Sequence, residues 1–75
     1  MKAYLFVNVL AGKAVEVVDS VRQATGVRRA DLCWGRPDII ALVDLPDEEA
    51  LGKMVLDEVQ SIEGVESTDT HLVFV

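Results

Sequence analysis

The sequence predicts an α+β domain of order βαββαβ: one four-stranded antiparallel sheet with two helices on one face. The first observation behind this is a repeat. In each half an apolar, strand-like run leads into a stretch of helical spacing, and a Gly-Val pair then opens another strand. Gly26-Val27 follows Ala24-Thr25, and Gly64-Val65 follows Ile62-Glu63. Glycine just past a helix takes the left-handed conformation that closes the last turn without a Cβ clash, and valine favours the extended chain that follows. A β-α-β unit duplicated within 75 residues is the split βαβ, or ferredoxin-like, layout. The second observation is that the first and third strands are apolar on both sides, which places them inside the sheet. The third is the charge on the second strand, which suits an edge.

Each element has its own signal. Ala3 to Leu10 is a short, nearly continuous run rich in β-branched and aromatic residues, which favours a strand. One side carries Ala3, Leu5, Val7 and Val9, and the other Tyr4, Phe6, Asn8 and Leu10. Ala11-Gly12-Lys13 makes the turn. From Ala14 to Thr25, Val15, Val18 and Val21, with Val17 and Ala24, fall three or four apart, while Glu16, Asp19 and Arg22 take the wet side. So many valines make a poor isolated helix, so packing has to hold it. Val27 to Trp34 alternates as the second strand, Gly35-Arg36-Pro37 connects, and Asp38 to Asp44 is the third. Asp47 is the expected N-cap of the second helix, with Glu48 and Glu49 at the positive end of its dipole. That helix runs to about Ile62 on a stripe of Leu51, Val55, Val59 and Ile62, widened by Met54 and Leu56. Val65 to Val75 is the last strand.

Composition narrows the function classes. The net charge of −6 and pI of about 4.5 leave no basic footprint for nucleic acid beyond Arg28-Arg29. Cys33 is the only cysteine, so an internal disulfide or a paired-cysteine metal site is excluded, and it reads as a small buried hydrophobe. His71 has no metal-ligating neighbour at suitable spacing. No metal, cofactor or catalytic group is expected. No stretch approaches a membrane span, no signal peptide is recognised, and a cytoplasmic location is the default expectation. No linker or low-complexity stretch divides the chain, so residues 1–75 are expected to form one domain.

Two helices can cover only one face of the sheet. The other keeps an apolar row, and 51% hydrophobic residues is much for a monomer of this size to hide. The simplest cover is a second copy, sheet against sheet about a twofold axis, giving a dimeric α-β barrel with edges suited to a small molecule.

Three segments carry a family resemblance. Gly35-Arg36-Pro37-Asp38, set between hydrophobic strands, resembles the Gly-x-aromatic-Asp turn of the Lrp/AsnC effector-binding (RAM) domain. Ile62-x-Gly64-Val65-x-Ser67-Thr68-x-Thr70 resembles its last strand. Ala3-Tyr4-Leu5-Phe6-Val7-Asn8-Val9 with Gly12-Lys13 resembles its opening. The resemblance implies amino-acid sensing. The family couples such a domain to an N-terminal helix-turn-helix, assembles it into dimers and octamer-like or larger rings, and binds amino acids between subunits. This chain shows no helix-turn-helix and resembles a stand-alone version, a sensor or a partner for full-length regulators of the family.

By the same resemblance the ligand site uses Gly35, Arg36, Asp38, Thr68 and Thr70. Gly35 would offer a backbone N–H to a carboxylate, Arg36 would steer it, Asp38 would accept from an α-ammonium, and the two threonines would supply hydroxyls. The chain departs from the family at Pro37, where an aromatic residue is usual; proline removes a donor and a ring wall. Structural readings stand beside these. Gly35 and Asp38 suit a turn, Thr68 and Thr70 suit a strand, and Arg36 suits a solvated loop. Two other functions fit the fold: an adaptor that co-assembles with homologous regulators, and a small cofactor-independent monooxygenase drawing on Asn8, Trp34 and His71.

Overall fold

Alternation along the first strand sorts its side chains between the two faces of a sheet. In the computed structural model, which describes residues 1–75, that strand is β1 (Lys2–Val9). Ala3, Leu5 and Val7 are fully buried, while Tyr4, Phe6 and Asn8 point the other way. Next come α1 (Ala14–Arg22), β2 (Val27–Leu32), β3 (Ile39–Asp44), α2 (Glu48–Met54) continued by a π-helical turn Val55–Val59, and β4 (Val65–Leu72). The strands lie in the order β2-β3-β1-β4, every pair antiparallel. The two strands that are apolar on both sides are therefore the inner pair, and β2 with Arg28 and Arg29 is an edge, as predicted.

Register builds the core. Ala3 pairs with Val43, Leu5 with Ala41 and Val7 with Ile39, so the buried positions of β1 and β3 lie side by side. Val17, Val18 and Val21 of α1, and Leu51, Met54, Val55 and Val59 of α2 and its π turn, cover that face. The predicted stripes were each one residue too wide. Val15 is 66% exposed because it lies two residues, about 200° round the helix, from Val17. Leu56 is 63% exposed. It lies about 100° round from Val55, off the side that Val55 and Val59 share, and Gln60 N–H donates to Val55 O at 2.8 Å in a five-residue closure.

The repeated Gly-Val pair does what the sequence requires. Gly26 (φ +82°) and Gly64 (φ +100°) are both left-handed. A Cβ at Gly26 would lie 2.6 Å from the Leu45 side chain and 2.9 Å from the Asp44 carbonyl oxygen. Each glycine carbonyl also ties down a distant loop: Gly26 O accepts from Asp44 N–H at 2.9 Å, and Gly64 O from Leu10 N–H at 2.8 Å.

Several elements stop short of their predicted ends. α1 closes at Arg22 rather than Thr25, with Gln23 and Ala24 N–H donating back to Ser20 and Val21 O. β2 ends at Leu32 rather than Trp34, although Cys33 N–H still donates to Asp38 O at 2.7 Å. β4 ends at Leu72, with Val73 N–H to Lys2 O (2.9 Å) the bond beyond it, so Phe74 and Val75 project freely. The face without helices presents Tyr4 and Phe6, Ile40 and Leu42, Asp69 and His71, and the Arg29–Asp31 ion pair. No helix is long and apolar enough to cross a membrane.

Candidate functional site

The Gly35–Asp38 turn is built around a carboxylate. Val9 N–H donates to Asp38 Oδ2 at 2.8 Å, fixing the start of β3 to the end of β1 just where the β1–β4 register shifts between Asn8 and Val9. One step past the Val7–Ile39 pair, the register sets Asp38 opposite Asn8. Asp38 is thus half-buried and already committed through one oxygen, not a free loop acid. Its second oxygen accepts no hydrogen bond from this chain. Gly35 has φ +115° and open space around it, so its backbone can be approached closely.

Arg36 leaves the turn and pairs with the first residues of β4: its Nη2 lies 3.0 Å from Glu66 Oε1. Next to that contact, Asn8 Nδ2 donates to Ser67 Oγ at 3.1 Å, and Asn8 Oδ1 is enclosed without a partner. Asn8, Glu66 and Ser67 therefore join Arg36 and Asp38 at one end of the sheet. Sequence reasoning did not assign Glu66 or Ser67 to the site. The only signal was their place ahead of Thr68 in the matched strand.

Thr68 and Thr70 take the opposite direction. They pair with Val7 and Leu5, whose side chains are buried beneath the helices, so both threonines lie on the helix side of the β4 edge. Thr68 Oγ1 accepts from Gln60 Nε2 at 2.8 Å. Thr70 lines a groove of about 340 Å³ between α2 and β4, whose walls are Leu51, Val55, Leu56 and Leu72, with Gly52 opening it. The turn borders a different hollow of about 350 Å³, lined by Ala14, Leu32, Cys33, Trp34 and Asp38. Within one copy, only Asp38 and Thr70 of the five predicted residues line a hollow, each a different one, while Gly35, Arg36 and Thr68 line neither. Asn8, Trp34 and His71 are also not gathered: no cavity is lined by more than one of them. Trp34 is fully exposed, and His71 lies on the helix-free face with Nε2 3.3 Å from Asp69 Oδ2 and its ring against Phe6.

The fold has counterparts among known proteins. The Lrp/AsnC ligand binding domain matches residues 2–75. A protein of Thermus thermophilus superposes with a TM-score of 0.93 at 28% identity, over 99% of this chain and 92% of that one. A transcriptional regulator of Neisseria meningitidis, solved as a complex with L-Met, gives 0.86 at 26% over 99% of this chain and 49% of its own. AsnC of Escherichia coli gives 0.90 at 19%, over 99% and 50%, and so attests the fold alone. The chain spans about half the length of these two regulators. Curated proteins yield no significant match. The match over residues 2–75, on a sheet and helices of the same build, makes this chain a member of the Lrp/AsnC ligand-binding-domain family.

Proposed function

We propose that the chain binds a small zwitterion, an amino acid, at a boundary between copies of itself, and serves as an effector-sensing module of transcriptional regulation. One observation carries this reading. Asp38 is held by Val9 N–H through one oxygen and keeps the other for a cation, beside an open left-handed glycine and an arginine. A zwitterion needs an anion for its ammonium and donors for its carboxylate. Asp38 Oδ1 answers the first need, and the Gly35 N–H, Arg36 and the hydroxyls of Thr68 and Thr70 the second. The exposed Arg36–Glu66 pair contributes little to stability and is cheap to exchange for a ligand carboxylate. The regulator solved with L-Met supports the ligand class. Effects on DNA would then pass through co-assembly with a regulator that has its own DNA-binding domain.

Titration calorimetry against the twenty amino acids tests the reading. Asp38→Asn is the informative variant, since it keeps an oxygen for Val9 N–H and removes only the charge. Wild type should bind one amino acid or a small group of them, and Asp38→Asn should weaken that binding by about ten- to a hundredfold, the scale of a charge-assisted hydrogen bond. Equal affinity of the two would make Asp38 a turn residue only. No binding at millimolar concentration would leave the chain an assembly module.

A further inference from the structure

The hollow beside the Gly35–Asp38 turn is apolar, with one acid in its lining. Ala14, Leu32, Cys33 and Trp34 form its walls, and Asp38 is the only charged residue among them. At about 350 Å³ it has the size of a small-molecule site, and it has the usual make-up of one: apolar walls with a single placed polar group. Trp34 sets its character. The ring is fully exposed, so nothing in the chain packs on it. It stands directly ahead of Gly35, in the turn whose Pro37 supplies no ring. An exposed indole on an apolar hollow is a large surface left for an entering group to cover. Ala14, the first residue of α1, matters for the opposite reason: its methyl group leaves the hollow open where a longer side chain would occupy it.

We propose that this hollow receives the side chain of the bound amino acid, and that the ligand is one with a large uncharged apolar side chain, of the size of leucine, methionine or phenylalanine. This deepens the ligand reading above, on which it rests, by naming the class. Asp38 belongs both to the turn and to the hollow, and keeps one oxygen for a cation. An amino acid's side chain leaves the same carbon as its ammonium, so holding the ammonium at Asp38 delivers the side chain to Leu32, Cys33 and Trp34. Trp34 supplies the ring wall that Pro37 does not. Apolar walls favour a hydrocarbon or thioether chain, and the indole adds stacking for an aromatic ligand and a sulfur–ring contact for methionine. An acidic side chain meets the Asp38 carboxylate on a chain of net charge −6. A basic one competes with its own α-ammonium for Asp38 or lies unpaired against hydrocarbon. Glycine or alanine leaves the hollow unfilled, without the contacts that its walls offer.

Trp34 is the only tryptophan and lines the hollow, so its emission reports entry, while calorimetry gives the affinities. The full chain is titrated with leucine, methionine and phenylalanine, with alanine, aspartate and lysine as contrasts, and with isocaproate, which is leucine without its amine. Wild type should bind the three large apolar ligands at least about tenfold tighter than alanine, with a blue shift of emission on saturation. Trp34→Ala removes an exposed side chain, so the fold stays intact; it should abolish most of that preference and leave alanine binding unchanged. Ala14→Leu fills the hollow at a helical position that suits leucine, and should weaken the large ligands by about tenfold while sparing alanine. Equal affinity for leucine and alanine, or a preference that survives both Trp34→Ala and Ala14→Leu, overturns the proposal. So does tighter binding of aspartate or lysine. A blue shift driven by protein concentration alone, with no amino acid present, gives the ring to another copy and overturns it equally. The two readings fail separately. Amino acids bound without regard to size leave Asp38 standing and remove the hollow, whereas isocaproate bound as tightly as leucine keeps the hollow and removes Asp38 as the ammonium's partner.

Discussion

At the scale of single residues, two glycines and one aspartate join distant parts of the chain. Gly26 and Gly64 occupy equivalent places in the two halves, yet their surroundings differ. A Cβ at Gly26 meets the branched end of Leu45 and the backbone oxygen of Asp44, whereas one at Gly64 meets chiefly the flexible Lys13 side chain and, at 3.1 Å, Val17. Both substitutions incur the cost of a left-handed alanine, about 1–2 kcal/mol. Gly26→Ala should cost more than Gly64→Ala, because backbone cannot step aside; urea unfolding midpoints give the comparison. Asp38→Ala should destabilise by about 1–3 kcal/mol by orphaning Val9 N–H, whereas Asp38→Asn should cost much less. Equal stabilities of the two would mean that the bond to Val9 contributes nothing. Glycine and aspartate were legible in the sequence as turn residues. The bond from Asp38 to Val9, 29 positions away, was not, because nothing local encodes which N–H a loop carboxylate will find.

At the scale of elements, α2 is the informative helix. Its cap agrees with the sequence: Asp47 Oδ1 accepts from Ala50 N–H at 2.8 Å, with Glu48 and Glu49 in the first turn. Its length and its outer face do not. Leu56 lies about 100° round the helix from the buried Val55 and so falls outside, and apolar spacing alone cannot distinguish the π closure at Val55–Val59 from an α one. Gly52→Ala should stabilise the isolated fold by about 0.5–1 kcal/mol, since alanine restricts the unfolded chain and nothing obstructs its methyl group. A thermal melt at low protein concentration measures this. A loss of stability there would mean that Gly52 serves the fold itself.

At the scale of the whole molecule, the helix-free face is the surface we propose for self-association. Tyr4, Phe6, Ile40 and Leu42 form an apolar centre flanked by the Arg29–Asp31 and His71–Asp69 pairs, an arrangement of apolar core and polar rim suited to burial against a second copy. Light scattering should give at least a dimer at micromolar concentration, and Ile40→Lys, which places a charge at the centre, should yield the 8.2 kDa monomer. A wild-type monomer at that concentration would remove this face as the interface. The net charge of −6 repels a phosphate backbone, so the chain alone should give no sequence-dependent gel shift at physiological salt.

The sequence by itself determined the order of elements, the inner position of β1 and β3, the edge position of β2 and the side of each helix that is buried. Those properties depend on periodicity and local preference: a period of two or of 3.6 states which face a residue takes, and a glycine past a helix states where the chain turns. Tertiary structure decided who meets whom. Register placed Thr68 and Thr70 on the helix side of β4, away from the Gly35–Asp38 turn; it gave Thr68 to Gln60, Arg36 to Glu66 and Asp38 to Val9. It also left Trp34 exposed and opened the groove over Gly52. Strand pairing and helix docking join residues tens of positions apart, and a periodic pattern carries the face of each residue but not the identity of its neighbour.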